Sequence, residues 1–257
     1  MSVKLGKKLV SRPNKDIFLS QNGKVLVKVF NHKIVPESDA LSEAAIYAMV
    51  QESTKLNIPE LLEVYKHGSD WCLAFNYIEG ETLEEKMKKE PENEHKYLED
   101  MLDLQLRVHA CKVDKLPPLV DKLQKRIHDS NDIIPATTRF ELHTRLDAVP
   151  KHYKLIHGDF VPSNIIYAPD GKVYILDWAH ATKGNGSADC CFTYLNFYLE
   201  GREDLAKEYL ELFCQKTDTA IQYVQRWMPI CAAFLAKKNS GEKREKLLTM
   251  ADVVEYM

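Results

Sequence analysis

The chain has 257 residues, 45% of them apolar and 28% charged, with a net charge of −3 at pH 7. That length holds two ordinary domains or one bilobal one, with enough apolar residues for a proper core. A slightly negative chain without a basic run excludes a nucleic-acid footprint, and no apolar stretch approaches the ~20 residues of a membrane-spanning helix.

Strands are predicted over 8–10, 17–20 and 25–30. Asn22-Gly23 is a favoured hairpin dipeptide, so these form an antiparallel meander. In the last of them Val25, Val27 and Val29 share one face and Leu26, Lys28 and Phe30 the other. A lysine among aliphatics reaches solvent from an edge strand or meets an anion, because an unpaired buried ammonium is costly. Pro36-Glu37-Ser38-Asp39 is a helix-entry signal, and a helix rich in good formers follows over 40–52. It offers Lys28 a carboxylate from Glu37, Glu43 or Glu52, the last disfavoured at the helix end. A solvated helix face is the alternative reading of Glu43.

A second hairpin is predicted from strands at 61–65 and 71–78, joined through His67-Gly68-Ser69-Asp70. From Leu83 onward the pattern is mainly helical. Residues 97–109 carry Leu98, Met101, Leu102, Leu106 and Val108 on one buried face, and His109 at the end of that run reads as a satisfied core histidine. Pro117-Pro118 breaks the pattern before a helix over 119–128.

The chemistry concentrates at His157-Gly158-Asp159-Phe160-Val161-Pro162-Ser163-Asn164. Ile165-Ile166-Tyr167 and Val173-Tyr174-Ile175-Leu176 then flank the turn signal Ala168-Pro169-Asp170-Gly171 and pair antiparallel, which sets Asn164 beside Asp177. Asp159, on the loop just before, is expected on the same rim. Phosphoryl transfer needs such parts: a carboxylate to orient an acceptor hydroxyl and take its proton, and oxygen ligands for magnesium on the nucleotide phosphates.

His157-Gly158-Asp159 with Asn164, followed by Asp177-Trp178, resembles the catalytic and metal-binding loops of aminoglycoside phosphotransferases and their relatives among choline and other small-molecule kinases. It follows the spacing H-R-D-x-x-x-x-N of protein kinases, with Gly in place of Arg and Asp177-Trp178 where those enzymes carry D-F-G. The resemblance runs in order from Lys28 through Asp189. It implies an α+β, bilobal, protein-kinase-like fold: an N-terminal nucleotide-binding lobe (1–79) with an antiparallel sheet and one main helix, and a larger, mainly helical catalytic and substrate-binding lobe (80–257). It implies ATP or GTP and Mg2+ as cofactors, Asp159 as the base, Asn164 and Asp177 as metal ligands, and Lys28 paired with Glu43 on the nucleotide phosphates. Asn76 to Ile78 become the hinge that grips adenine, bordered by Phe75.

Two departures from the wider fold matter. No G-x-G-x-x-G lies between the first two strands; Ser11 to Lys15 stand there, and Ser11 and Lys15 are candidates for phosphate contact alongside an ordinary polar loop. After Asp177 only 180–188, including Gly184-Asn185-Gly186, precede Asp189, leaving no room for the long activation segment with which protein kinases dock a polypeptide. A small-molecule hydroxyl acceptor is therefore expected over a protein. Asp189 resembles the family's aspartate that hydrogen-bonds the catalytic-loop backbone, and a helix N-cap is its other reading.

The acceptor itself is open. A polycationic antibiotic needs a strongly acidic cleft and a choline-type substrate an aromatic cage. Tyr194, Tyr198, Tyr223 and Trp227 are the cage candidates, while Arg202, Lys207, Lys216 and Arg226 nearly balance the nearby acids, so neither class is selected. The expectation is in-line transfer of a γ-phosphoryl group to a small molecule, with a non-catalytic nucleotide-binding module, or a choline, amino-alcohol or sugar kinase of the same fold, as the alternative and a protein kinase third. The six cysteines lack C-x-x-C spacing and the first eight residues lack the apolar core of a secretory signal, so a cytoplasmic protein with reduced thiols is expected.

Overall fold

A computed structural model describes residues 3–253. In chain order it comprises β1 (Leu5–Ser11), β2 (Lys15–Ser20), β3 (Val25–Phe30), α1 (Glu37–Ser53), β4 (Leu61–His67), β5 (Asp70–Asn76), β6 (Glu81–Thr82) and α2 (Leu83–Lys89). Then follow α3 (Glu94–His109), α4 (Leu119–His128), α5 (Ala136–Ala148), β7 (Lys154–Ile156), β8 (Ile165–Tyr167), β9 (Val173–Ile175) and β10 (Thr182–Gly184). The chain closes with α6 (Gly186–Leu199), α7 (Glu203–Thr217), α8 (Ile221–Gln225), α9 (Met228–Ala236) and α10 (Gly241–Ala251).

The chain divides into two compact units: one runs to Pro91 and takes back Pro162–His180, and the other consists of Glu92–Val161 and the chain from Ala181 onward. In the first, the sheet order is β1-β2-β3-β5-β4, every neighbouring pair antiparallel. Alternation along β3 works as the sequence predicts. Val27 and Val29 join Cys72 and Ala74 in a core on one face, with Val25 packed against it, and Leu26 and Lys28 turn to the other. Because β3 lies between β2 and β5, Lys28 is not an edge-strand lysine. The loop between β1 and β2 is shorter than the sequence suggests. Lys15 is the first residue of β2, paired with Phe30, and Arg12 N–H donates to the Lys15 carbonyl at 3.0 Å, closing a turn over 12–14.

The helix α1 begins after Pro36, with Glu37 and Asp39 in its first turn, where the helix dipole favours acids. Its buried face is Ala40, Glu43, Ala44, Tyr47 and Val50, spaced at helical intervals. Tyr47 meets Phe75 of β5 with ring centroids 4.6 Å apart.

The first unit is assembled from two separate stretches of chain. The short strand β6 pairs with β8, matching Glu81 with Tyr167 and Thr82 with Ile166, and β8 pairs with β9. Ile175 N–H also donates to the Asn57 carbonyl at 2.9 Å, and Asn57 Nδ2 to the Val173 carbonyl at 3.2 Å. Backbone ladders thus carry the whole hairpin into the first unit.

The second unit is mainly helical, with β7 and β10 as a two-stranded ladder. Leu98, Met101 and Leu102 of α3 are fully buried, as are Phe192, Phe197, Tyr209 and Trp227. Every residue of α9 from Ile230 to Ala236 is buried, as a helix apolar on all sides should be. Among the described residues no helix is long and apolar enough to cross a membrane.

Candidate active site

The first unit holds a cavity of about 250 Å³ whose walls are Ile17, Leu26, Phe75, Ile166 and Leu176, with Tyr47 from α1. Asn76, Tyr77 and Ile78 line it where the chain leaves β5. Polar groups gather elsewhere in its lining: Arg12, Lys15, Lys28, Ser163, Asn164 and Asp177. An apolar slot joined to cations and oxygen donors suits a flat heterocycle carrying a charged tail.

Lys28 is the centre of the polar group. Its ammonium donates to Glu43 Oε1 at 2.7 Å and to Asp177 Oδ1 at 2.8 Å, and sits 5.5 Å from the Phe75 ring centroid. Burial alone would drive the lysine toward its neutral form, yet Asp177 and Glu43 outweigh it and raise its pKa. Burial likewise opposes ionisation of Asp177, but Lys28 and then Lys15, 3.8 Å from Oδ2, hold it well below the usual carboxylate range. Tyr47, buried near both carboxylates, has its phenol pushed up and stays neutral.

The hairpin sets Asn164 and Asp177 side by side. Ile165 pairs with Ile175, so Leu176 N–H donates to the Asn164 carbonyl at 2.8 Å and Asp177 follows at once. Asp177 adopts φ 55°, the left-handed region that most side chains avoid and that aspartate enters more readily than most. A non-glycine residue held there at a cost is a pointer to function.

In the second unit the loop 157–160 is fixed by one buried carboxylate. Asp189 Oδ1 accepts from Gly158 N–H at 2.8 Å, and Oδ2 accepts from His109 Nε2 at 2.9 Å, Gln105 Nε2 at 3.2 Å and His157 N–H at 3.3 Å. Burial raises the Asp189 pKa, but the bonds from His109 and Gly158 and the nearby imidazoles bring the net shift below the usual value. Thr193 Oγ1 donates to the Phe160 carbonyl at 2.9 Å and Asp159 N–H to His157 Nδ1 at 3.3 Å. Gly158 has φ 77°, which explains a glycine where protein kinases have arginine. Gly186 supplies space: a Cβ there would lie 2.9 Å from His109 Nδ1. His109 is thus a core histidine, bonded through Nε2.

The cavity therefore gathers Lys28, Phe75, Asn76, Ile78, Asn164 and Asp177, adds Lys15, and has Glu43 bonded behind Lys28. Asp159 belongs to the other unit with its loop. Ser11 is exposed, and its hydroxyl donates to Asp16 Oδ1 at 2.6 Å rather than facing the cavity. Of the competing glutamates, Glu37 is engaged by Trp71 Nε1 at 2.6 Å and Lys66 at 3.0 Å, and Glu52 is exposed. Of the aromatic-cage candidates, Trp227 is in the core, Tyr223 OH accepts from Asn185 Nδ2 at 2.7 Å, and Tyr194 stacks on Tyr198. Sequence reasoning missed Tyr47, although it lies one turn after Glu43 on the same face, and it missed Arg12 and Ser163, which stand close to named candidates in the chain.

A family model described as the phosphotransferase enzyme family matches residues 14–223. Among solved structures, a thermostable mutant of aminoglycoside phosphotransferase APH(4)-Ia in its apo form aligns with TM-score 0.71 at 15% identity, covering 98% of this chain and 94% of that one. A further variant of that thermostable mutant, in a ternary complex with AMP-PNP and hygromycin B, aligns at 0.69 and 14%, covering 96% and 91%. Choline kinase LicA from Streptococcus pneumoniae aligns at 0.63 and 17%, covering 98% and 92%. At such identities the likeness establishes the fold. No curated protein sequence matches.

Proposed function

The chain belongs to the phosphotransferase enzyme family, and from that premise we propose that it moves the γ-phosphoryl group of ATP or GTP to a hydroxyl of a small molecule. The observation that carries this reading is the Lys28 ammonium held between Glu43 and Asp177, with Asn164, in one cavity. The adenine or guanine ring occupies the apolar slot between Leu26, Phe75 and Leu176. Asn76 and Tyr77 spend their N–H groups on the Glu60 and Lys24 carbonyls, at 3.1 and 2.9 Å, so Ile78 is the hinge residue that meets the base edge. Lys28 and Lys15 take the phosphates in place of a glycine-rich loop, as point charges rather than as a cradle of backbone N–H groups.

A divalent cation such as Mg2+ fits the donor set. Asp177 and Asn164 would offer it hard oxygen ligands of the kind such a cation prefers. When bound it supplies neutralisation of charge on the transferring phosphoryl group. Asp159 orients the acceptor hydroxyl and takes its proton, on a loop stiffened by Asp189. Positioning and charge neutralisation account for most of the rate in a loose transition state.

The test is a pair of measurements on Asp159→Asn. Calorimetric titration with ATP and Mg2+ is expected to give wild-type affinity, while turnover falls about 10²–10⁴-fold, the range of a lost general base. Full turnover by this variant sinks the base assignment. Failure of the wild-type protein to transfer phosphate, with nucleotide still bound, leaves a binding module instead.

A further inference from the structure

The turn over 12–14 brings to the cavity of the first unit a cation that the ion pairs there do not use. Lys28 bonds Glu43 and Asp177, and Lys15 lies 3.8 Å from Asp177 Oδ2, so two ammonium groups are matched by two acids. Arg12 lines the same cavity from an exposed position, and among the described residues its guanidinium meets neither a carboxylate nor an aromatic ring. It is the positive charge left over for an anionic ligand.

Sheet register sets where Arg12 stands. Val10 pairs with Ile17 and Ser11 with Asp16, so Arg12 comes opposite Lys15, to whose carbonyl its N–H donates at 3.0 Å. Because Lys15 pairs with Phe30 and Ile17 with Lys28, Arg12 shares the sheet face of Lys15 and Lys28, whereas Ser11 takes the other. Leu26, Lys28 and Phe30 follow one another on that face two residues apart. The row of Lys15 and Arg12 therefore lies about 7 Å beyond Lys28, on the side away from Leu26 and the base slot. The backbone of the turn has little to give a phosphate, since Pro13 lacks an N–H and that of Arg12 is spent on Lys15. Asn31 pins it, its Nδ2 donating to the Pro13 carbonyl at 3.1 Å and its N–H to that of Asn14 at 3.0 Å. A fixed turn without spare backbone donors leaves the side chain to bind, and a guanidinium fork matches two oxygens of one phosphate.

We infer that Arg12 holds the terminal phosphate of the nucleotide, so that the site distinguishes the triphosphate from the diphosphate, while Lys28 takes the phosphates nearer the base. This rests on the phosphotransfer reading and adds a catalytic residue to it. In the transfer the hydroxyl oxygen forms the new P–O bond, the bond from γ-phosphorus to the bridging oxygen breaks, the hydroxyl proton passes to Asp159, and the nucleoside diphosphate leaves. The group that Arg12 grips parts from the nucleotide in that step, and its hold on the diphosphate is lost.

The experiment is calorimetric titration of the full chain with Mg2+ and either AMP-PNP or ADP. Arg12→Gln is expected to weaken AMP-PNP about tenfold or more and ADP less than about twofold. Lys8→Gln is the control. Lys8 stands opposite Phe18 on the other face of the sheet and pairs with Asp16, so the variant removes an equal charge from the same strand and should change neither affinity. Equal weakening of both nucleotides by Arg12→Gln, no weakening of AMP-PNP, or the same selective loss from Lys8→Gln overturns the inference and leaves the phosphotransfer reading in place. Wild-type protein that binds neither nucleotide overturns both. A selective loss of AMP-PNP in Arg12→Gln, with no transfer from ATP by the wild type, leaves the inference standing and removes the reaction.

Discussion

Asp177 joins three roles in one side chain: it neutralises Lys28, sits beside Asn164 and occupies a left-handed backbone position. Asp177→Asn can keep that backbone, since asparagine tolerates it, but removes the charge. Mg2+-dependent nucleotide binding should fall on the order of a hundredfold in calorimetric titration, and the unliganded protein should also lose stability because buried Lys28 keeps only one of its two carboxylates; undiminished Mg2+ dependence would refute the ligand assignment. Asp189 presents a different balance, because its folded pKa lies below the usual aspartate value. Its stabilisation is complete above the unfolded value, about 4, and drains away as pH falls through the lower folded one. Asp189→Asn should cost on the order of 3 kcal/mol at pH 7 and flatten the stability profile below about pH 4, read by urea unfolding across pH. An unaltered acid limb would mean that other carboxylates govern it.

At the scale of elements, α1 and the β8–β9 hairpin bring the cavity together. Glu43→Gln should leave the helix intact yet lower kcat/KM for nucleotide about 10–100-fold, because Lys28 loses one of the two carboxylates that aim it. Equal kinetics in the variant would return Glu43 to the role of an ordinary helix carboxylate. These elements are legible in the chain for local reasons. A Pro-Asp-Gly turn between two β-prone runs fixes the hairpin, and alternation along β3 fixes the face of Lys28. What escapes is short or non-local. Lys15 reads as loop because Lys15-Asp16 interrupts the apolar pattern, although β2 begins there. The two-residue β6 and the three-residue β7 and β10 are too brief to show a period. Asn57 bonds Val173 and Ile175 from more than a hundred residues away in the chain, and no spacing rule links them.

For the molecule as a whole, binding should report on stability. A nucleotide at about 100 times its Kd stabilises the folded state by about 2.7 kcal/mol, and scanning calorimetry with Mg-ADP should show a rise of several degrees. The same addition to Asp177→Ala should give almost none; an equal rise would place nucleotide binding outside the cavity that Asp177 lines. The solved relatives share the fold over nearly the full chain at 14%, 15% and 17% identity, so the architecture outlasts most of the side chains that fill it.

The first unit is not a continuous piece of chain: the strand bearing Lys28 is made early, and the carboxylate that completes its neutralisation arrives only with residue 177. During synthesis at about 5–20 residues per second, the interval between Pro91 and His180 lasts roughly 5–20 s. Throughout it the nascent sheet lacks half of its ionic anchor and the β-ladder that joins β6 to β8. Ribosome-bound chains stalled before that hairpin emerges should therefore be protease-sensitive in roughly their first ninety residues and become resistant once it is out of the exit tunnel.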